Sequence, residues 1–319
     1  MKSKYSSNKS NFNGKIISLL ASTTEIICAL GLEENLVGIS HECDNPEEIL
    51  NLPRCSSPNI DINSSSKNID DLVEKSTMDG LSIYNINNEL LKSLQPNYIF
   101  IQDMCKVCAI NPNDLSLFLK NYTKSEVELV SYSPNSLQEI LNEIYKIGKK
   151  LNCIDGVKAL LTDMKIRLKT FKEENFKSKL NPKIAFIEWI DPIYFGGNWM
   201  PELIEYAGGI SCFGEAGKHS SIINFEEIVK QDPDYILIAP CGFNISKTLK
   251  ELTPLTSQPE WNFLTAVRKN RVYVLDGNRY FNRPGMSIIN SIEIIAEIIH
   301  PENFIYEYEH IAWERLYNN

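Results

Sequence analysis

SLQEILNEIYKIGKKLNCIDGVKALLTDMKIRLKTF, residues 136–171, is the stretch whose reading decides the architecture. Its apolar residues fall at Leu137, Ile140, Ile144, Ile147, Leu151, Ile154, Val157, Leu161, Met164, Leu168 and Phe171, always three or four apart. That spacing predicts one helix with one buried stripe. Ser136 and Glu139 read as a capping box just after Pro134. At 1.5 Å per residue the helix would run roughly 54 Å, longer than a small domain is wide. Asp155-Gly156 is the one weak point in this single helix, because glycine disfavours a helix interior by about 1 kcal/mol. No second helix of that length is visible to pair with it, so the reading is a bridge between two lobes.

The flanks read alike. Glu89-Leu90-Leu91-Lys92-Ser93-Leu94-Gln95-Pro96-Asn97-Tyr98-Ile99-Phe100-Ile101 lies before the bridge, and Glu226-Glu227-Ile228-Val229-Lys230-Gln231-Asp232-Pro233-Asp234-Tyr235-Ile236-Leu237-Ile238 after it. Each is a short amphipathic helix, a proline that ends it and a compact apolar strand. Thr24–Gly31 and Pro201–Gly208 are a second pair, helices stopped by glycine. The chain therefore reads as two related α/β lobes, with boundaries 1–14 for a disordered tail, 15–133, 134–176 for the bridge and 177–319.

A length of 319 residues with 43% hydrophobic residues suffices for two cores. A net charge of −9 argues against nucleic acid. No run of about 18 apolar residues exists, so no membrane span is expected. Met1–Asn13 has basic residues but no apolar core, so no signal peptide is read and the expectation is a cytoplasmic monomer. Eight cysteines without framework spacing fit reduced thiols.

Five loops are expected at strand ends, where open α/β sheets bind ligands. They carry His41, Glu42, Cys105, Cys108, Tyr194, Trp199, Arg279, Tyr280, Phe281 and Arg283. Cys105-x-x-Cys108 is half a zinc site, a redox pair or two packed thiols; His41 and Cys43 would complete a Cys3His set. Arg279 and Arg283 suit carboxylate, phosphate or amide groups on a ligand, or surface salt bridges. Trp199 stacks on a ligand or staples the next helix. No Gly-x-Ser-x-Gly or Walker-type loop is present, and no nucleophile sits beside a base, so an enzyme is not expected.

From about Lys15 to His300 the chain resembles the cobalamin- and iron-siderophore-binding proteins of ABC importers, and most of all their cobalamin-binding branch. The resemblance rests on Ser18–Glu25, the two helix-Pro-strand repeats, Trp189-Ile190-Asp191-Pro192 and the turn at Ala207-Gly208-Gly209. His41–Asp44, the Cys-x-x-Cys and Gly277–Gly285 are similar to a subgroup without a signal peptide. It implies the class III fold: two Rossmann-like lobes, each with a mostly parallel sheet, joined by one long helix. It also implies cobalamin or a related corrinoid in the cleft, held by Tyr194 and by Tyr280 or Phe281, and a permease docked through Glu89 and Glu226. The family precedent for location is periplasmic or membrane-associated. Where the family's cobalamin binders carry an aromatic after the second strand, this chain has Glu42 beside His41. Two alternatives stand beside that reading: a cytoplasmic carrier of corrinoids, tetrapyrroles or metals, and a metal- or thiol-dependent enzyme built on His41, Cys105 and Cys108.

Overall fold

Ile16, Ile17 and Ser18 are wholly buried, as expected of a strand covered on both faces, and they centre the first sheet. A computed structural model describes residues 12–79, 81–102, 127–175 and 181–317. In chain order the first elements are β1 (Ile16–Ser18), α1 (Ala21–Ala29), β2 (Leu36–Ile39), β3 (Ser56–Pro58), α2 (Ser66–Met78), β4 (Tyr84–Ile86), α3 (Asn88–Leu94), β5 (Tyr98–Ile101), β6 (Glu128–Ser131), α4 (Leu137–Lys150) and α5 (Ile154–Asn175). The described residues fall into two compact units. The first takes those within Met1–Ser64, Asn68–Pro134 and Leu141–Thr162; the second takes Ser65–Lys67, Asn135–Ile140 and those within Asp163–Asn319.

The first unit holds a four-stranded sheet in the order β2-β1-β5-β6, every neighbour parallel. Strands β3 and β4, separated in the chain by α2, pair antiparallel as a two-stranded sheet of their own. Helix α1 has Leu20 at its N-cap and no side-chain cap. The threonines bond elsewhere: Thr23 Oγ1 lies 2.6 Å from Ser18 Oγ, and Thr24 Oγ1 donates back to the Leu20 carbonyl at 2.9 Å.

The second unit continues with β7 (Lys183–Trp189), β8 (Tyr194–Phe195), α6 (Met200–Tyr206), β9 (Ile210–Ser211), β10 (Ser221–Ile222), α7 (Phe225–Gln231), β11 (Tyr235–Ile238), α8 (Ile245–Lys250), α9 (Thr253–Thr256), α10 (Thr265–Arg268), β12 (Val272–Leu275), α11 (Ile288–Ile299) and β13 (Trp313–Leu316). Its sheet runs β10-β8-β7-β11-β12-β13, with β9 also on β7. The β7–β11 and β11–β12 pairs are parallel, while β8, β10 and β13 pair antiparallel. Ala185, Ile187, Ile236, Ile238, Val272 and Val274 line one face of its core.

The repeat seen in the sequence extends to the backbone. Helix α3 ends at Gln95 and α7 at Asp232, both left-handed (φ 52° and 41°), and each is followed by a proline and a buried strand. Asp232 also accepts from Thr265 N and Oγ1, both at 2.7 Å; these two bonds hold its carboxyl below the usual range.

The expected single helix over 136–171 is two helices. The break lies at Asn152 (φ 52°), not at Asp155-Gly156, which falls in the first turn of α5. Cys153 N donates to the Gly148 carbonyl at 2.7 Å and Asn152 N to the Lys149 carbonyl at 3.2 Å, a Schellman ending. Val157 then packs onto Gly148, where an added Cβ would meet Val157 Cβ at 2.4 Å. The start is as read: Glu139 N donates to Ser136 Oγ at 3.2 Å, while the Glu139 carboxylate accepts from Asn135 N at 2.7 Å. Asn152→Ala is expected to destabilise the first unit by about 1 kcal/mol, because a Cβ without a local polar partner disfavours the left-handed region. Asn152→Gly should be close to neutral. Far-ultraviolet circular dichroism melts check both; an alanine variant as stable as wild type would remove the assigned role.

Candidate functional site

Strand β2 delivers His41 to its carboxyl end. The ring is placed by Ser56 of β3: Ser56 Oγ accepts from His41 N at 3.2 Å and lies 2.8 Å from Nδ1. The Tyr84 ring stands 5.0 Å from the imidazole at 52°, and Tyr84 Oη donates to Glu42 Oε1 at 3.0 Å. His41, Glu42, Ser56 and Tyr84 thus form one half-exposed cluster. Burial lowers the His41 pKa below its ordinary value, Arg54 adds to the effect and Glu42 opposes it. The neutral imidazole is favoured, the form that ligates a metal. Tyr84 supplies an aromatic that the sequence reading does not assign to this lobe.

Cys43, two residues on, turns inward. It is fully buried, with Sγ 3.1 Å from Thr24 Oγ1. Arg54 Nη1 donates to the carbonyls of Ser40 and Cys43 and ties this loop. Burial pushes the neighbouring thiols Cys28 and Cys55 up to about 12 and about 11. Cys105 and Cys108 lie outside the described residues. Among the described residues no group of three or more His, Cys, Asp or Glu side chains is arranged to hold a metal.

In the second unit the carboxyl ends of β7, β11 and β12 carry the remaining positions. Tyr194 pairs opposite Trp189 across the β7–β8 turn and is half-buried. Trp189 stands edge-on to Phe243, 5.1 Å away, and Lys247 Nζ lies 3.7 Å from the Phe243 ring centre. Trp199 donates Nε1–H to the Phe281 carbonyl at 3.2 Å, which ties the loop before α6 to the turn after β12. That turn, Gly277–Phe281, has π-helical bonding and is capped by Asp276, whose Oδ1 accepts from Arg279 N at 2.9 Å. Gly277 is required there: an added Cβ would lie 2.2 Å from the Pro240 carbonyl oxygen.

The turn divides its side chains. Arg279 is exposed, with its guanidinium 5.7 Å from the Tyr280 ring centre. Tyr280 is buried, at 9% exposure. Phe281 is fully buried, 5.5 Å from the Phe186 ring, so it packs the core. Arg283 is also buried, with Nη2 donating to Asn278 Oδ1 at 3.1 Å, so it braces the turn from inside. Glu89 and Glu226 both stand exposed in the first turns of α3 and α7, where the helix dipole favours acids. Glu89 pairs with Lys92 at 2.7 Å.

Glu188 is a residue that sequence reasoning missed. It points out of β7 beneath the loop 214–222, accepting from Ser220 Oγ at 2.8 Å, and Gly197 N donates to the same Ser220 oxygen at 3.1 Å. Burial pushes its carboxyl up to about 7, against the bonds from Ser220 and Gly197. A carboxylate directly after the apolar run Ile184–Ile187 was the available signal.

The family model described as Periplasmic binding protein matches residues 16–278. An uncharacterized ABC transporter substrate-binding lipoprotein of Bacillus subtilis, YvrC, is 26% identical over 298 residues, covering 91% of this chain and 81% of its own. The vitamin B12-binding protein of Vibrio parahaemolyticus is 22% identical over 293 residues, covering 89% and 88%. Two solved structures share the fold, each with a TM-score of 0.68. One is a possible iron-binding periplasmic solute-binding protein of Staphylococcus epidermidis (20% identity; 90% and 98% covered). The other is IsdE of S. aureus complexed with heme (16%; 90% and 99% covered).

Proposed function

The chain belongs to the periplasmic binding protein family and is a substrate-binding protein of ABC-importer type; from that premise we propose that its ligand is cobalamin or a related corrinoid. The observation that carries the reading is the chemistry at the strand ends. The first unit offers a neutral imidazole, His41, held by Ser56 and backed by Tyr84. The second offers Tyr194, Trp199 and the turn bearing Arg279 and Tyr280. Flat aromatic rings cover a large apolar macrocycle at little entropic cost, imidazole is a suitable lower ligand for cobalt, and a guanidinium suits peripheral amides. Phe281 and Arg283 support the turn of the second unit from beneath. Glu89 and Glu226, alike in their helices, are assigned to docking on basic residues of the permease. The task is capture and release, without turnover.

The test is a spectral and calorimetric titration of the reduced, metal-free protein with cyanocobalamin, and in parallel with hemin. Saturable one-to-one binding of cyanocobalamin is expected, weakened about tenfold by Tyr194→Ala, the equivalent of roughly 1.4 kcal/mol of lost contact. A change in the visible bands, lost in His41→Ala, would add the imidazole as a metal ligand. Binding of hemin without cyanocobalamin would move the ligand from corrinoid to porphyrin. No binding of either well above micromolar would overturn the reading.

A further inference from the structure

Tyr280 is held by a segment past residue 278, where the family match ends. After α11 the chain crosses that helix again, and two buried carboxylates, Glu293 and Glu297, receive it. Glu297 accepts from the backbone N–H groups of Tyr306 and Tyr308 and from Trp313 Nε1. Glu293 accepts from Tyr308 Oη at 2.8 Å and pairs with Arg167 of α5. Asn290 Nδ2 donates to the same tyrosine oxygen at 2.6 Å. Tyr308 is therefore placed by its main chain and by its hydroxyl at once.

The placed ring meets the ligand-face turn. Tyr308 stands edge-on to Tyr280 at 6.0 Å and 72°. Behind it the aromatic series continues through Tyr306 (6.3 Å) and Phe304 (6.1 Å) to Phe171 on α5 (5.8 Å). Ser291 of α11 closes the arrangement by donating its hydroxyl to the Tyr280 carbonyl. An edge-on pair fixes the direction of a ring as well as its distance.

We infer that the Tyr308 ring, carried on the C-terminal segment that Glu297 anchors, is a positioning residue that fixes the Tyr280 ring and its turn for ligand binding. The inference rests on the reading of Tyr280 as a ligand contact, and it touches the ligand only through that residue. A pre-set ring spares the ordering entropy that a mobile side chain would lose on binding.

The experiment compares Tyr308→Phe with Tyr308→Ala in the full chain. Affinity is measured with cyanocobalamin, stability by thermal unfolding, and order by amide exchange over residues 277–285. The phenylalanine variant keeps the ring against Tyr280 but loses both hydroxyl bonds; the alanine variant loses both. Positioning predicts that both variants lose stability, but that only Tyr308→Ala speeds exchange at 277–285 and weakens cyanocobalamin about tenfold, with phenylalanine within about twofold of wild type. A purely structural role predicts affinity falling with stability in both variants, and that result overturns the inference. So does an alanine variant with wild-type affinity and exchange. If the wild-type protein fails to bind cyanocobalamin, the ligand assignment fails, and exchange alone judges the ring contact: faster exchange in Tyr308→Ala only sustains it, and unchanged exchange overturns it.

Discussion

Glu297→Ala is expected to destabilise the second unit by about 4 kcal/mol. The carboxylate is 8% exposed on α11 and accepts three bonds: Tyr308 N at 3.0 Å and Trp313 Nε1 at 2.8 Å on one oxygen, and Tyr306 N on the other. Trp313 opens β13, which pairs with β12 as Leu275↔Trp313, so the same carboxylate holds both the crossing segment and the sheet edge. Truncation leaves three donors without an acceptor, each costing about 1–3 kcal/mol when kept from water. Water entering the vacated space offsets part of the sum, which sets the estimate near the middle. Glu297→Gln retains one acceptor oxygen and turns an amide toward an N–H, so about half the loss is expected. The four tryptophans, Trp189, Trp199, Trp261 and Trp313, all lie in the second unit, so denaturant unfolding followed by their fluorescence reads this unit alone. An alanine variant with an unshifted midpoint would mean that the segment is held by its aromatic contacts instead.

The same carboxylates mark how far a sequence can be read. Local regularities were legible: the apolar stripe over 136–171 is buried at Leu137, Ile140, Ile144, Ile147, Leu151 and Val157 as expected. The two helix-Pro-strand repeats fold alike because a residue before each proline is pushed out of the helical region. The break at Asn152 escaped notice because a Schellman ending stops a helix without disturbing the spacing of its apolar residues. Gly156 misled because propensity weighs on helix interiors, and it lies in a first turn.

Contacts between distant residues were not legible at all. Tyr84 is 43 residues from His41, on a three-residue strand too short to show alternation. Phe281 and Arg283 look like ligand residues in one dimension, beside Arg279 and Tyr280 and rich in the right chemistry. A turn with π-helical bonding rotates them away from their neighbours, and no spacing rule for helices or strands foresees that rotation. Glu293 and Glu297 read as two charges in an apolar helix, and only the returning chain explains them.

The second unit is expected to be more stable at pH 5 than at pH 8, and Glu188 is the cause. Its carboxyl titrates near 7 in the fold against an ordinary value of 4.5, raised by burial. The folded protein therefore holds this proton more tightly than the unfolded chain. The stabilisation is fully present below about 4.5 and is lost as pH rises through about 7. Its size is roughly 3 kcal/mol at 1.36 kcal/mol for each tenfold change in proton affinity. Ser220 and Gly197 favour the ionised form and limit the effect without reversing it. Glu188→Gln keeps an oxygen for Ser220 while removing the titration, so its stability should vary little between pH 5 and 8 and should exceed that of wild type at pH 8. Tryptophan-detected unfolding at both pH values, compared between the two proteins, isolates this group. If wild type and Glu188→Gln lose the same stability between the two pH values, Glu188 is ionised across the range and the loop 214–222 is held by the charged carboxylate.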